Sequence, residues 1–179
     1  MTYSLARKRS NCRACIHNRP VESSRGRLII VCGLPGAGKT THAQLLEKQL
    51  RGVRFCPDEW MDGLALDLYD EARRANVEAL QWKIGQELLK LGVTVIIEWG
   101  TWGRSERDTL RLGAQELGAD AELHYLTAPV DILFDRVRRR GMEDPPIERE
   151  DLARWAEAFE APTDKELALY DSPSAVDGF

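Results

Sequence analysis

Gly33-Leu34-Pro35-Gly36-Ala37-Gly38-Lys39-Thr40 is the stretch whose reading decides the fold. It follows the apolar run Leu28-Ile29-Ile30-Val31-Cys32 and opens the helical pattern Thr41-His42-Ala43-Gln44-Leu45-Leu46-Glu47. A strand, the spacing G-x-x-x-x-G-K-S/T and a helix make a phosphate-binding loop in its required context. Glycines let successive backbone N–H groups turn inward around an anionic oxygen, where any Cβ would intrude. The helix starting at Lys39 adds the positive end of its dipole. Lys39 has the reach for β- and γ-phosphates, and the Thr40 hydroxyl is a Mg²⁺ ligand. Residues 33–41, Thr41 included, are thus the expected nucleotide-binding set, for ATP with Mg²⁺.

The rest of the chain bounds what surrounds that loop. Its 179 residues suit one domain, and 43% hydrophobic with 30% charged content is that of an ordinary globular protein. The apolar runs are short, Val93 to Ile97 being the clearest, so no membrane span is expected. The N-terminus lacks the hydrophobic segment of a secretory signal, and a cytoplasmic location is the default. Residues 1–27 hold seven basic side chains (Arg7, Lys8, Arg9, Arg13, Arg19, Arg25, Arg27) against one acidic, Glu22. The remainder carries 18 basic against 28 acidic residues, and an acidic body argues against a non-specific nucleic-acid surface. Cys12 and Cys15 form a C-x-x-C with His17 nearby, a half-motif for zinc. A closed site needs four ligands, and Cys32 and Cys56 fall at the ends of expected core strands.

In chain order, residues 1–26 read as a basic irregular arm, 27–170 as the folded domain and 171–179 as a flexible tail. Strands are expected at about 27–32, Val53–Cys56, Val93–Ile97 and Ala121–Leu126, the third being β-branched and suited to burial on both faces. Helices are expected from the loop to about Arg51, over 60–91 with a break near Gly63, from Ser105 (a candidate cap) to Leu117, from Pro129 to Arg140, and over 148–160. The tail after Pro162 reads as a short helical piece followed by disorder. Alternating strands and helices mean a doubly wound parallel sheet, whose ligands bind at the carboxyl ends of the strands.

That rule brings Gly33, Asp58 and Glu98 to one crevice. Asp58 is placed to accept a proton from an attacking hydroxyl, or to cap the following helix. Glu98 ends its strand after four apolar residues, like a Walker B acid: it holds Mg²⁺ through water, binds a substrate hydroxyl, or pairs with a nearby arginine. Trp99 and Trp102 flank a Gly-rich turn and suit a ring or sugar face, while Arg104 and Arg107 can clamp an anion or pair with Glu98. Arg136 and Arg140, one helical turn apart in a run of four arginines, precede a Pro/Gly loop and would act from a short helical lid over about 136–150.

With these residues in place the chain resembles the small P-loop kinases grouped with zeta toxins, chloramphenicol phosphotransferases and polynucleotide-kinase domains. The carriers are GLPGAGKTT at 33–41, PDEW at 57–60, VTVIIEWGTWGRSERDTLR at 93–111 and DRVRRRG at 135–141. The resemblance implies a three-layer α/β P-loop NTPase fold with a parallel sheet in the order 2-3-1-4, usually extended to 2-3-1-4-5. It implies that Asp58 is the general base and that Arg136 and Arg140 are lid arginines, with Lys39 completing the catalytic set. Two departures stand out: Glu98 sits beside tryptophan where many relatives have Asp followed by Thr or Asn, and no fifth strand is evident after Phe159. The expected activity is phosphoryl transfer from ATP to a hydroxyl of a small metabolite or natural product, by a monomer or homodimer. A 5′-hydroxyl nucleic-acid kinase and an ATP-dependent switch are the alternatives; no N-K-x-D or D-x-x-G element supports a GTPase.

Overall fold

A computed structural model describes residues 25–141, 145–171 and 174–177. The Cys12, Cys15 and His17 half-motif, and most of the basic arm, lie outside the described residues. Within them no group of three or more His, Cys, Asp or Glu is placed to hold a metal ion, and no helix is long and apolar enough to cross a membrane.

Two of the strands, β1 (Arg27–Cys32) and β3 (Thr94–Ile97), are mostly β-branched and aliphatic, while β4 (Asp120–Thr127) mixes Asp120, Glu122 and His124 with buried Ala121, Leu123 and Leu126. Leu28 to Cys32 and Val95 to Ile97 are fully buried, as continuous apolar runs in a sheet covered on both faces must be. With β2 (Val53–Phe55) and β5 (Ser174–Asp177) they form one sheet in the order β2-β3-β1-β4-β5, every pairing parallel. The expected order is therefore found, and the fifth strand, which was not evident in the sequence, exists. Residues 174–177 are not a free tail: they pair with His124 to Thr127, whose outer backbone groups would otherwise be an open edge.

Side-chain alternation sends Leu28, Ile30 and Cys32 to one face and Ile29 and Val31 to the other, so two cores form. On the first pack α3 (Glu71–Lys90), α4 (Arg104–Glu116) and the one-turn α7 (Asp164–Leu167). On the second pack α1 (Lys39–Leu50), α5 (Val130–Arg140) and α6 (Arg149–Ala158). The result is three layers, helix on sheet on helix.

Two helix starts differ from expectation. The helix after β2 begins at once: α2 (Pro57–Gly63) uses Pro57 at its first turn, where a missing N–H costs nothing. Residues 64–70 then separate it from α3, a longer break than Gly63 alone suggested. Ser105 does not cap α4; Gly103 does, and Glu106 reaches back to the Gly103 N–H at 3.2 Å.

Candidate active site

The loop between β1 and α1 is shaped by close approach as much as by backbone angles. Gly33 has φ +145°, and a Cβ there would stand 2.2 Å from the Leu126 carbonyl oxygen of β4. At Gly36 (φ +83°) a Cβ would meet the Leu133 oxygen of α5 at 2.6 Å. Gly38 (φ +93°) faces open space, so only its left-handed backbone requires glycine. The loop is thus pinned from below by β4 and α5 and left open toward the crevice. Lys39 Nζ donates to the Leu34 carbonyl at 3.2 Å, folding over the loop it serves. Burial pushes the Lys39 ammonium below its usual range, against the pull of Glu98.

Beside Lys39, the Thr40 hydroxyl donates to Glu98 Oε1, and Arg54 of β2 donates to Glu98 Oε2 at 2.8 Å. Arg54 also grips Glu59 through both carboxylate oxygens, at 2.6 and 2.7 Å. Burial pushes the Glu98 carboxyl up, and the Thr40 hydroxyl and Arg54 oppose it. The alternative of an arginine-paired Glu98 is therefore realised, with Thr40 in contact as well. A hydroxyl and a carboxylate oxygen meeting at the mouth of an open glycine cradle form a hard-oxygen donor set, which fits Mg²⁺ and no soft metal. Thr40 and Glu98 are the residues that would hold it.

Across from the loop, Asp58 sits in the first turn of α2 with most of its side chain exposed, and Arg74 of α3 donates to its Oδ1. Among the described residues no donor reaches its other oxygen. Arg136 donates to the Gly36 carbonyl at 3.4 Å, and the Arg140 charge bears on Lys39. Pro35, Gly36, Gly38, Lys39, Thr40, Thr41, Asp58, Arg136 and Arg140 line one cleft of about 440 Å³. Loop, carboxylate and α5 arginines thus converge.

The second half of the expected set does not converge. Arg107 is fully buried, and all five of its N–H donors are taken: by Glu166 at 2.7 and 3.0 Å, and by the carbonyls of Thr101, Trp102 and Glu160 at 2.8 to 3.3 Å. It can clamp no ligand and does not pair with Glu98; its expected substrate role is corrected to that of a buttress beneath the turn after β3. That turn holds Thr101 at φ +27°, a conformation rare for a β-branched residue, with its hydroxyl buried and without a partner among the described residues. Arg104 is exposed, its guanidinium on Asp108 at 3.3 Å and its backbone N–H on Glu160. Trp102 packs edge-on against Trp155 and Phe159, tying the two core layers together at this end. Trp99 packs on the first core and donates its indole N–H to Gln81 at 2.9 Å. Sequence reasoning missed Arg54, Arg74, Glu78 and Gln81; only their polar character at inward positions of a strand and a helix could have flagged them.

The AAA domain family (AAA_33) matches residues 28–162. No curated protein matches the chain. Among solved structures it is similar to a Janibacter sp. HTCC2649 sugar kinase (22% identity, 85% of each chain covered, TM-score 0.61). Chaetomium thermophilum Kti12 in complex with ADP-AlF3 is similar at 18% identity, over 84% of this chain and 88% of that one, with TM-score 0.63. Mycobacterium tuberculosis APS kinase CysC, in complex with AMPPNP and APS, is similar at 20% identity, over 86% and 88%, with TM-score 0.60. These likenesses establish the P-loop α/β fold. The match over three quarters of the sequence places the chain in the AAA_33 family of AAA-domain proteins.

Proposed function

We propose that the protein is an ATP-dependent kinase that transfers the γ-phosphate to a hydroxyl group of a small molecule. The observation that carries this reading is the shared cleft: Asp58, the lysine of the phosphate loop and two arginines of α5 line one cavity. A carboxylate opposite the loop suits deprotonation of an acceptor hydroxyl, which a nucleotide switch does not require. Backbone N–H groups of the glycine loop bind the triphosphate and Lys39 holds its terminal oxygens. Thr40 and Glu98 would hold Mg²⁺, which when bound spreads the charge of the β- and γ-oxygens.

The acceptor oxygen then bonds to the γ-phosphorus as the bond from phosphorus to the β,γ-bridging oxygen breaks. Asp58 takes the hydroxyl proton, and ADP leaves with the bond's electron pair. Arg136 and Arg140 offset the charge that gathers on the γ-oxygens, at the point where closure would exclude water. Dependence on ATP fits a cytoplasmic setting.

The test is ADP formation with and without a hydroxyl acceptor, in wild type and in Asp58→Asn. Wild-type turnover is expected to rise only with acceptor. The Asn variant is expected to keep ATP affinity and lose about 10²- to 10⁴-fold in kcat, the usual worth of a general base. Wild-type rates in the variant would remove the base from Asp58.

A further inference from the structure

The inward stripe of α3 changes character along its length. Its C-terminal half presents Gly85, Leu88 and Leu89 to the first core, as a helix on a sheet should. Its N-terminal half presents Arg74, Glu78 and Gln81, polar residues at the same helical spacing, around the apolar Val77. That half borders the crevice, because Arg74 reaches Asp58 in the first turn of α2. A polar stripe continuing a core stripe has to be satisfied by something other than the core.

The bonding accounts show what is missing. Gln81 is wholly buried, and its Oε1 accepts the Trp99 indole N–H, which fixes the sense of the amide. Its Nε2 therefore carries two hydrogens and has no partner among the described residues. Helical side chains lean toward the helix N-terminus, which sets this amide toward the end of α3 that carries Glu78 and Arg74. Glu78, half-buried one turn up, faces the charges of Arg74, Glu106 and Asp58. Burial pushes its carboxyl up, so it gains from a neutral donor.

On the kinase reading above, we propose that this stripe is the acceptor site, and that the acceptor is a neutral polyol with a second hydroxyl near the one phosphorylated. Asp58 takes the reacting hydroxyl, Glu78 accepts from its neighbour, and Gln81 Nε2 donates to an oxygen of the same molecule. A hydroxyl both donates and accepts, so adjacent hydroxyls satisfy all three groups. An ammonium cannot accept from Gln81, and a carboxylate cannot donate to Glu78. A buried donor left unpaired in the free protein costs stability, which binding returns as affinity for the ligand that pairs it.

The experiment follows ADP formation with four acceptors: a pentitol, the matching amino-deoxy pentitol, the matching aldonate and a 5′-hydroxyl oligonucleotide. The pentitol is expected to exceed the others at least tenfold in kcat/KM. Gln81→Leu is expected to raise the pentitol KM about tenfold or more. Leu also strands the Trp99 indole N–H, so the control for folding is that the variant keeps the midpoint shift that ATP produces. Gln81→Glu keeps an oxygen for Trp99 but replaces the donor by an acceptor, and is expected to turn preference toward the amino-deoxy pentitol. A merely structural glutamine would not reverse specificity, and the Glu variant decides the matter if the Leu variant fails to fold. An unchanged pentitol KM in both variants, or turnover by the wild type of the amino-deoxy compound, aldonate or oligonucleotide in preference to the pentitol, overturns the polyol assignment and leaves the kinase reading standing. ADP formation indifferent to every acceptor overturns both.

Discussion

At the scale of single residues, this site is organised by arginines that never touch the reaction. Arg54 ties Glu98 to Glu59, and through it links the carboxylate beside Thr40 to the helix that carries Asp58. Arg107 does the same for the turn after β3, spending its whole guanidinium on Glu166 and three carbonyls. Burial works against the charge of Arg107, and the Glu166 carboxylate more than offsets it. A buried pair of this kind is costly to break from one side, because the survivor is a charge with no counter-charge. Glu166→Gln is therefore expected to lower the free energy of unfolding by about 3–5 kcal/mol, measured by urea titration. Replacing both residues by Met is expected to recover most of that loss, since the volume is refilled and no charge is stranded. A double variant as unstable as the single one would mean that the carbonyl contacts of Arg107, and not its charge partner, hold the turn.

Elements meet across the second core through a contact that makes stability depend on pH. His42 of α1 and His124 of β4 share one hydrogen bond, Nε2 to Nδ1 at 2.8 Å, and His124 Nε2 faces Glu122 at 3.1 Å, with Arg27 beyond. Burial, then the neighbouring ring, lower the His42 pKa below its usual 6.5. A base with a depressed folded pKa takes its proton later than the unfolded chain does, so the unfolded state binds more protons and stability falls as pH drops through about 6.5. The raised carboxyls Glu78 and Glu98 act in the opposite sense, their contribution being lost as pH rises above the usual carboxylate range. His42→Gln, whose amide can still donate to His124, is expected to flatten the slope of unfolding free energy between pH 7 and 5 relative to wild type; an identical slope would clear the pair of any role. This contact also shows what a sequence does and does not disclose. The loop at 33–40, the strands around it and Asp58 were legible because their meaning lies in adjacent residues: an apolar run, a glycine spacing, a Pro at a helix start. His42 and His124, Arg54 and Glu98, and Arg107 and Glu166 are 82, 44 and 59 positions apart, and their meaning exists only once the sheet has brought them together. Arg107 looked like a ligand clamp because arginine at a crevice reads the same whether its partner is a substrate or a distant glutamate.

At the scale of the whole molecule, the sheet is finished by a strand that local pattern could not announce. Ser174-Ala175-Val176-Asp177 is too short for an alternation to register, and its conformation comes from the edge it covers. Asp171 guides the chain there: its backbone N–H donates to the Ala121 carbonyl at 2.8 Å, and its carboxylate accepts the Ala121 N–H at 2.7 Å. β4 thus has β1 on one side and β5 on the other, and without β5 the backbone from His124 to Thr127 becomes an open edge. That edge lies beside the phosphate loop, since the Leu126 carbonyl is the atom packed against Gly33. Removing residues 172–179 while keeping Asp171 is expected to lower the free energy of unfolding by about 1–3 kcal/mol, the net worth of a few backbone hydrogen bonds. It is also expected to produce concentration-dependent self-association, because an unpaired parallel edge templates a second chain. Light scattering across a concentration series, with the full-length chain as control, reads both species directly. A truncated protein that stays monomeric at every concentration and unfolds at the same urea midpoint would show that β5 covers the edge without protecting it.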